Sequence, residues 1–181
     1  MTNSIAIFCG SALGSDQIFS ETARQVGHTI AEQGKTLVYG GGRSGLMGIV
    51  ADSALEAGGQ VIGVIPHVLV DRELAHQGLT ELHVVKDMQE RKLKMSALSD
   101  GFIAMPGGAG TLEEIFEQWT WAQLGIHLKP NAFLNVNGFY DDLLKFLKMT
   151  TDKGFTHARF TDSLIGSASV EDILNQMAQI P

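Results

Sequence analysis

The sequence predicts an α/β fold, with a central parallel sheet held between two layers of helices. Three observations predict it. Short apolar runs alternate with amphipathic stretches along the whole chain, the pattern of strand–helix–strand units. The apolar runs are nearly continuous rather than alternating with polar residues, as strands covered on both faces must be. Glycine-bearing turns follow several of these runs, at the strand ends where such sheets bind ligands.

Taken in order, strands are expected at residues 4–9, 36–39, 61–65, 82–85, 101–105 and 132–136. Helices are expected at 16–33, 46–57, 88–99, 112–124, 140–151 and 170–179. Gly34 and the pair Gly58-Gly59 follow the first two helices, where a residue at positive φ commonly ends a helix. Asp87 with Glu90, and Ser169 with Asp172, have the spacing of capping boxes at two further helix starts. Residues 66–80 are the least regular stretch and predict a loop at the sheet edge that covers a pocket. Parallel strands joined through helices require right-handed crossovers. The whole is therefore expected to be a Rossmann-like three-layer sandwich. Its 181 residues, 44% of them hydrophobic, suit one domain spanning 1–181.

The formal net charge of −7 argues against a nucleic-acid partner. Gripping a phosphate backbone needs clustered Lys and Arg, and the densest basic stretch is only Arg91, Lys92 and Lys94. No apolar run approaches the roughly 20 residues that span a bilayer, so no membrane partner is expected. The first residues, Met1-Thr2-Asn3-Ser4, lack the basic start of a secretory leader. Cys9 is the only cysteine, which excludes an intrachain disulfide. The six histidines are scattered without ligand spacing, so no metal is expected. These features predict a cytoplasmic protein.

Three glycine turns carry the chemical signal. Cys9-Gly10-Ser11 follows the first strand, and Gly40 to Gly48, including Gly41, Gly42 and Gly45, follows the second. Pro106-Gly107-Gly108-Ala109-Gly110-Thr111 follows the fifth. Backbone N–H groups without Cβ obstruction, beside a helix N-terminus, suit an anionic oxygen cluster such as phosphate. Glycines also serve tight turns and packing, but three such turns at equivalent ends favour a ligand. None matches the nucleoside-triphosphate loop, and the first strand is not followed by GxGxxG.

Glu113 and Glu114 follow the third turn. Acidic residues early in a helix favour its dipole, and this reading suffices for at least one of them. Arg91 is the cation able to hold such a carboxylate in a bidentate pair. On local pattern alone, however, Arg91 and Lys92 read as a solvated helix face. Trp119, Trp121, Phe116 and Met47 have the apolar surface to stack on a base, and equally the helical placement of core residues.

Two motifs taken together change the weighting. The run from Pro106 to Glu114 resembles the PGGxGTxxE signature of the lonely-guy family, and Met88-Gln89-Glu90-Arg91-Lys92 resembles its upstream Arg-Lys motif. Cys9-Gly10-Ser11, Gly40 to Gly48, Trp121 to Gly125 and Asn135 to Tyr140 extend the resemblance over nearly the whole chain. It implies a phosphoribohydrolase that acts on a nucleoside 5′-monophosphate and needs no cofactor. It implies Arg91 and Glu114 as the catalytic pair, and Gly108, Gly110 and Thr111 at the phosphate. Glu73, Lys92 and Thr120 are implied around base and ribose, and the protein as a homodimer. Gly10, Ser11, Gly41, Gly42, Gly45, Gly107 and Ala109 complete the expected substrate-binding set.

Two other classes compete. A lysine decarboxylase needs pyridoxal phosphate on a lysine, and nothing in the sequence marks a lysine for it. A non-catalytic nucleotide sensor or carrier would use the same glycine turns but has no need of Arg91 with Glu114.

Overall fold

The structure is a computed structural model that describes residues 2–70 and 74–180. Seven strands form one parallel sheet in the order β4-β3-β2-β1-β5-β6-β7. They are β1 (Ser4–Phe8), β2 (Thr36–Tyr39), β3 (Gln60–Pro66), β4 (Glu81–Val85), β5 (Gly101–Ala104), β6 (Asn131–Leu134) and β7 (Ile165–Ser167). The helices between and after them are α1 (Gln17–Glu32), α2 (Gly45–Glu56), α3 (Met88–Leu98), α4 (Ala109–Gln123), α5 (Asp141–Asp152), α6 (Ala158–Asp162) and α7 (Val170–Ala178). The strand order reverses between β1 and β5, which pair from Ile5↔Gly101 to Phe8↔Ala104. The expected α/β sandwich is the observed one.

Alternate residues of β1 feed the two layers, as side chains along a strand must. Ile5 and Ile7 are buried with Val26 and Ile30 of α1, Val50 of α2 and Leu174 of α7. Ala6 and Phe8 are buried on the other face with Met95 of α3, Ile115 and Trp119 of α4 and Leu147 of α5. At the amino edge of the sheet, Asp100 joins β1 to β5 by accepting from the Asn3 and Ser4 N–H groups at 2.8 and 3.0 Å. These bonds hold its carboxyl below the ordinary carboxylate range, against a burial effect that alone would raise it. No helix among the described residues is long and apolar enough to cross a membrane.

The structure adds β7 and α6 to the expected elements. With three and five residues, both are shorter than any hydrophobic period can reveal. Gly34 and Gly58 take φ of 65° and 78°, as their helix-ending positions require. Asp87 caps α3 by accepting from Gln89 and Glu90 N–H groups. Glu90, however, reaches back to the Lys86 N–H rather than to that of Asp87. The Ser169 hydroxyl oxygen accepts from the Asp172 N–H, but its own proton goes to Glu171. Helix α4 starts at Ala109, three residues before the expected position 112. The glycine turn itself forms its first turn.

Candidate active site

That early start decides the site's chemistry. The first N–H groups of any helix have no intrahelical acceptor. In α1, α3 and α7, the side chains of Asp16, Asp87 and Ser169 take up one or two of them. The cap residue of α4 is Gly108, which has no side chain to offer. The N–H groups of α4's first turn therefore face outward with the positive end of the helix dipole behind them.

They face a cavity of about 320 Å³, within the range of small-molecule sites. It opens at the carboxyl ends of β1 and β5, beside the reversal in strand order. Gly108, Ala109, Gly110 and Thr111 form one wall, Cys9, Gly10 and Ser11 another, and Arg91, Glu113 and Glu114 stand beside them. Met47, Met88 and Leu69 close the apolar side. Leu69 lies in a short 3₁₀ turn, His67–Leu69, so the irregular stretch after β3 does contribute a wall. Its signal in the sequence was only its position after a strand that ends on this edge. The same stretch is tied down by His76, which is buried, bonds Asp52 through Nε2 at 2.8 Å and accepts from the Gly78 N–H through Nδ1.

The glycines divide into two sets. A Cβ on Gly108 or Gly110 would meet nothing within 4 Å. A Cβ on Gly107 would strike Thr111, one on Gly45 the Ser11 backbone, and one on Gly48 the Arg43 carbonyl. Gly41 and Gly45 also take φ of 78° and 58°. Gly41 and Gly42 are buried, and Gly42 bridges to Ala75. None of Gly41, Gly42 and Gly45 lines the cavity. A Cβ on Gly40 would overlap the Arg91 guanidinium, whose Nη2 donates to the Gly40 carbonyl at 3.2 Å. Gly40 is thus the socket for Arg91.

Arg91 and Lys92 are 5% and 6% exposed, so the solvated-face reading does not hold. Lys92 projects toward α4 and ion-pairs with Glu113 and, at 3.0 Å, with Glu117. Burial alone would lower its pKa, but the bonds to the two carboxylates outweigh that and raise it. Lys92 is thereby turned away from the cavity and locks α3 to α4. Glu113 and Glu114 occupy the second turn of α4, and none of its first-turn residues is acidic. A dipole effect that fades within one turn does not account for them. Both line the cavity, and Glu113 is in addition tied into the ion pair with Lys92.

Cys9 registers both catalytic candidates. Its thiol is buried, and burial together with the Glu114 charge raises its pKa, while Arg91 works in the opposite direction. The net effect keeps it protonated, unlike a nucleophilic cysteine. Trp119 is buried, donates to the Phe160 carbonyl at 3.1 Å and packs on Phe116, which is partly buried against the same core cluster. Thr120 is exposed and its hydroxyl bonds the Phe116 carbonyl; it does not line the cavity. Glu73 lies outside the described residues.

An α/β protein with an uncapped helix N-terminus at its topological switch point, and a guanidinium and a carboxylate on the same cavity, has the parts to hold an anionic ligand and act on it. The chain belongs to the lonely-guy (LOG) family. The family model described as "Possible lysine decarboxylase" matches residues 47–177. The chain is 43% identical to the probable cytokinin riboside 5′-monophosphate phosphoribohydrolase LOGL1 of Oryza sativa subsp. japonica, over 97% of this chain and 78% of that one. It is 42% identical to the cytokinin riboside 5′-monophosphate phosphoribohydrolase LOG7 of Arabidopsis thaliana, over 97% and 81%. The molybdenum cofactor binding protein from Rippkaea orientalis shares the fold, with a TM-score of 0.74 at 21% identity over 99% of this chain and 98% of that one.

Proposed function

We propose that this protein hydrolyses the N-glycosidic bond of a purine nucleoside 5′-monophosphate, releasing free base and ribose 5-phosphate. The carrying observation is that the bare N-terminus of α4 opens on the cavity that also holds Glu114 and Arg91. The names of the relatives, phosphoribohydrolases of cytokinin riboside 5′-monophosphates, support the same reading.

The 5′-phosphate sits on the N–H groups of Gly108, Gly110 and Thr111, where dipole and donors both favour an anion. Breaking the C1′–N bond builds positive charge on the ribose, as in other glycoside hydrolysis. An ionised Glu114 beside C1′ stabilises that charge and orients or deprotonates the attacking water. Arg91, fixed by Gly40, keeps the carboxylate ionised and aimed. Met47, Met88 and Leu69 border the base. The homodimer is part of the proposal: Leu124, Ile126 and Leu128, beyond the end of α4, are 70%, 64% and 81% exposed and supply apolar surface for a second copy to cover.

Base release is measured by chromatography from AMP and from isopentenyladenosine monophosphate, with Glu114→Ala as control. The proposal expects release by the wild type and its loss in the variant, and the two rates name the preferred base. Tight nucleotide binding without release from either substrate would instead assign a non-catalytic nucleotide binder.

A further inference from the structure

The stretch Asn135-Val136-Asn137-Gly138-Phe139-Tyr140 follows β6 and contributes nothing to the walls of the Arg91–Glu114 cavity. Its last residue nevertheless reaches the turn that does. Tyr140 is 2% exposed, and its hydroxyl donates to the Met105 carbonyl at 2.7 Å. Met105 is the residue between β5 and the Pro106-Gly107-Gly108 turn, and its own N–H donates to the Phe8 carbonyl at 2.9 Å. The β5–β6 ladder has already ended at Ala104↔Phe133. A phenol therefore takes over where strand pairing stops.

Tyr140 is held in turn. Its N–H donates to Asn135 Oδ1 at 2.7 Å, and Asn135 Nδ2 donates to Asp141 at 2.7 Å. Phe133 and Phe139 meet its ring edge-on, with centroids 5.0 and 4.9 Å away. Asn137 and Gly138 take φ of 49° and 75°, left-handed conformations within the turn that precedes Tyr140. Burial pushes the phenol's pKa up, so the hydroxyl keeps the proton it donates.

We propose that Tyr140 is a positioning residue for the phosphate turn: its hydroxyl fixes the Met105 carbonyl and so the direction in which Gly108, Gly110 and Thr111 present their N–H groups. This rests on the reading of that turn as the phosphate seat. A buried carbonyl left without its donor is costly enough to make the backbone rotate. A rotation at Met105 moves the residues that follow it. The consequence falls on ligands that carry a phosphate.

The test is calorimetric titration of wild type and Tyr140→Phe with ribose 5-phosphate and with ribose, together with kcat and KM for AMP. The expected result is a loss of about tenfold in ribose 5-phosphate affinity, equivalent to about 1.4 kcal/mol. KM should rise by a similar factor, and kcat should change by less than about twofold. Trp119→Phe removes another buried donor to a carbonyl, at Phe160, and should lower stability while leaving ribose 5-phosphate affinity intact. If Tyr140→Phe does not fold, Asn135→Ala loosens Tyr140 from a half-buried position and should show the same loss. Undiminished ribose 5-phosphate affinity in the Tyr140 or Asn135 variant overturns the proposal, as does an equal loss in Trp119→Phe. A wild type that binds ribose 5-phosphate no better than ribose overturns the phosphate-seat reading itself.

Discussion

At the carboxyl edge of the sheet, the turn after β2 surrounds Gly40, Gly41, Gly45 and Gly48 with protein, whereas the turn after β5 leaves Gly108 and Gly110 facing open space. In the first turn, positive φ and close approach require glycine, and a side chain would collide with the fold itself. In the second, neither requirement holds at Gly108 or Gly110. Their bareness serves whatever approaches from outside. One turn seats Arg91 and closes against the Ser11 backbone; the other is, on the proposed reading, the surface a ligand touches. The two are alike in composition and opposite in the room they leave for a side chain, and substitutions should separate them.

The largest effect belongs to the side chain beside the second turn. Glu114→Ala should lower turnover by about 10²–10⁴, the usual range for a positioned acid–base group, with an unchanged melting temperature. Wild-type turnover in a folded variant would remove Glu114 from the mechanism.

Next comes the first turn. Gly45→Ala forces a Cβ into the Ser11 backbone at a φ of 58°. It should cost on the order of 3 kcal/mol of stability, readable by denaturant unfolding. A variant as stable as wild type would mean the turn is looser than described.

Gly110→Ala should do the reverse. Alanine in a helix's first turns is favoured over glycine by up to about 1 kcal/mol, so the melting temperature should rise slightly. A methyl group in the open space should meanwhile weaken nucleotide affinity roughly tenfold. Loss of both stability and affinity would erase the contrast between the turns.

The smallest effect concerns the lock between α3 and α4. Folding raises the Lys92 pKa above its ordinary value. Its contribution is therefore fully present below the ordinary lysine pKa and lost as pH rises through the higher folded value. Unfolding measured from pH 8 into the alkaline range should show that decline in wild type and not in Lys92→Met.

How far the sequence foretold this structure depends on the range of the interaction. Strands β1 to β6 and the long helices were legible, because continuous apolar runs and helical periods are local. The glycine turns were legible as turns, but not in their separate uses. That distinction depends on where an absent Cβ would point, which Gly45 and Gly110 do not reveal by spacing. Lys92 looked like a solvated cation because its partners Glu113 and Glu117 lie on another helix. The dipole reading of at least one of Glu113 and Glu114 follows from a helix expected to begin at 112, after the glycines, whereas α4 begins within them. Tyr140 falls in a segment that carries the resemblance, but its role is not legible there, since its bond to Met105 joins residues 35 apart in sequence.

On the proposed mechanism, the open N-terminus of α4 seats a 5′-phosphate and so brings C1′ to Glu114. Base release from AMP and from adenosine by the wild-type enzyme, compared as kcat/KM, tests it most directly. A preference for AMP of more than about 10²-fold is expected, since charge-assisted bonds to a phosphate contribute roughly 1.5–3 kcal/mol each. Equal kcat/KM for the two would contradict it.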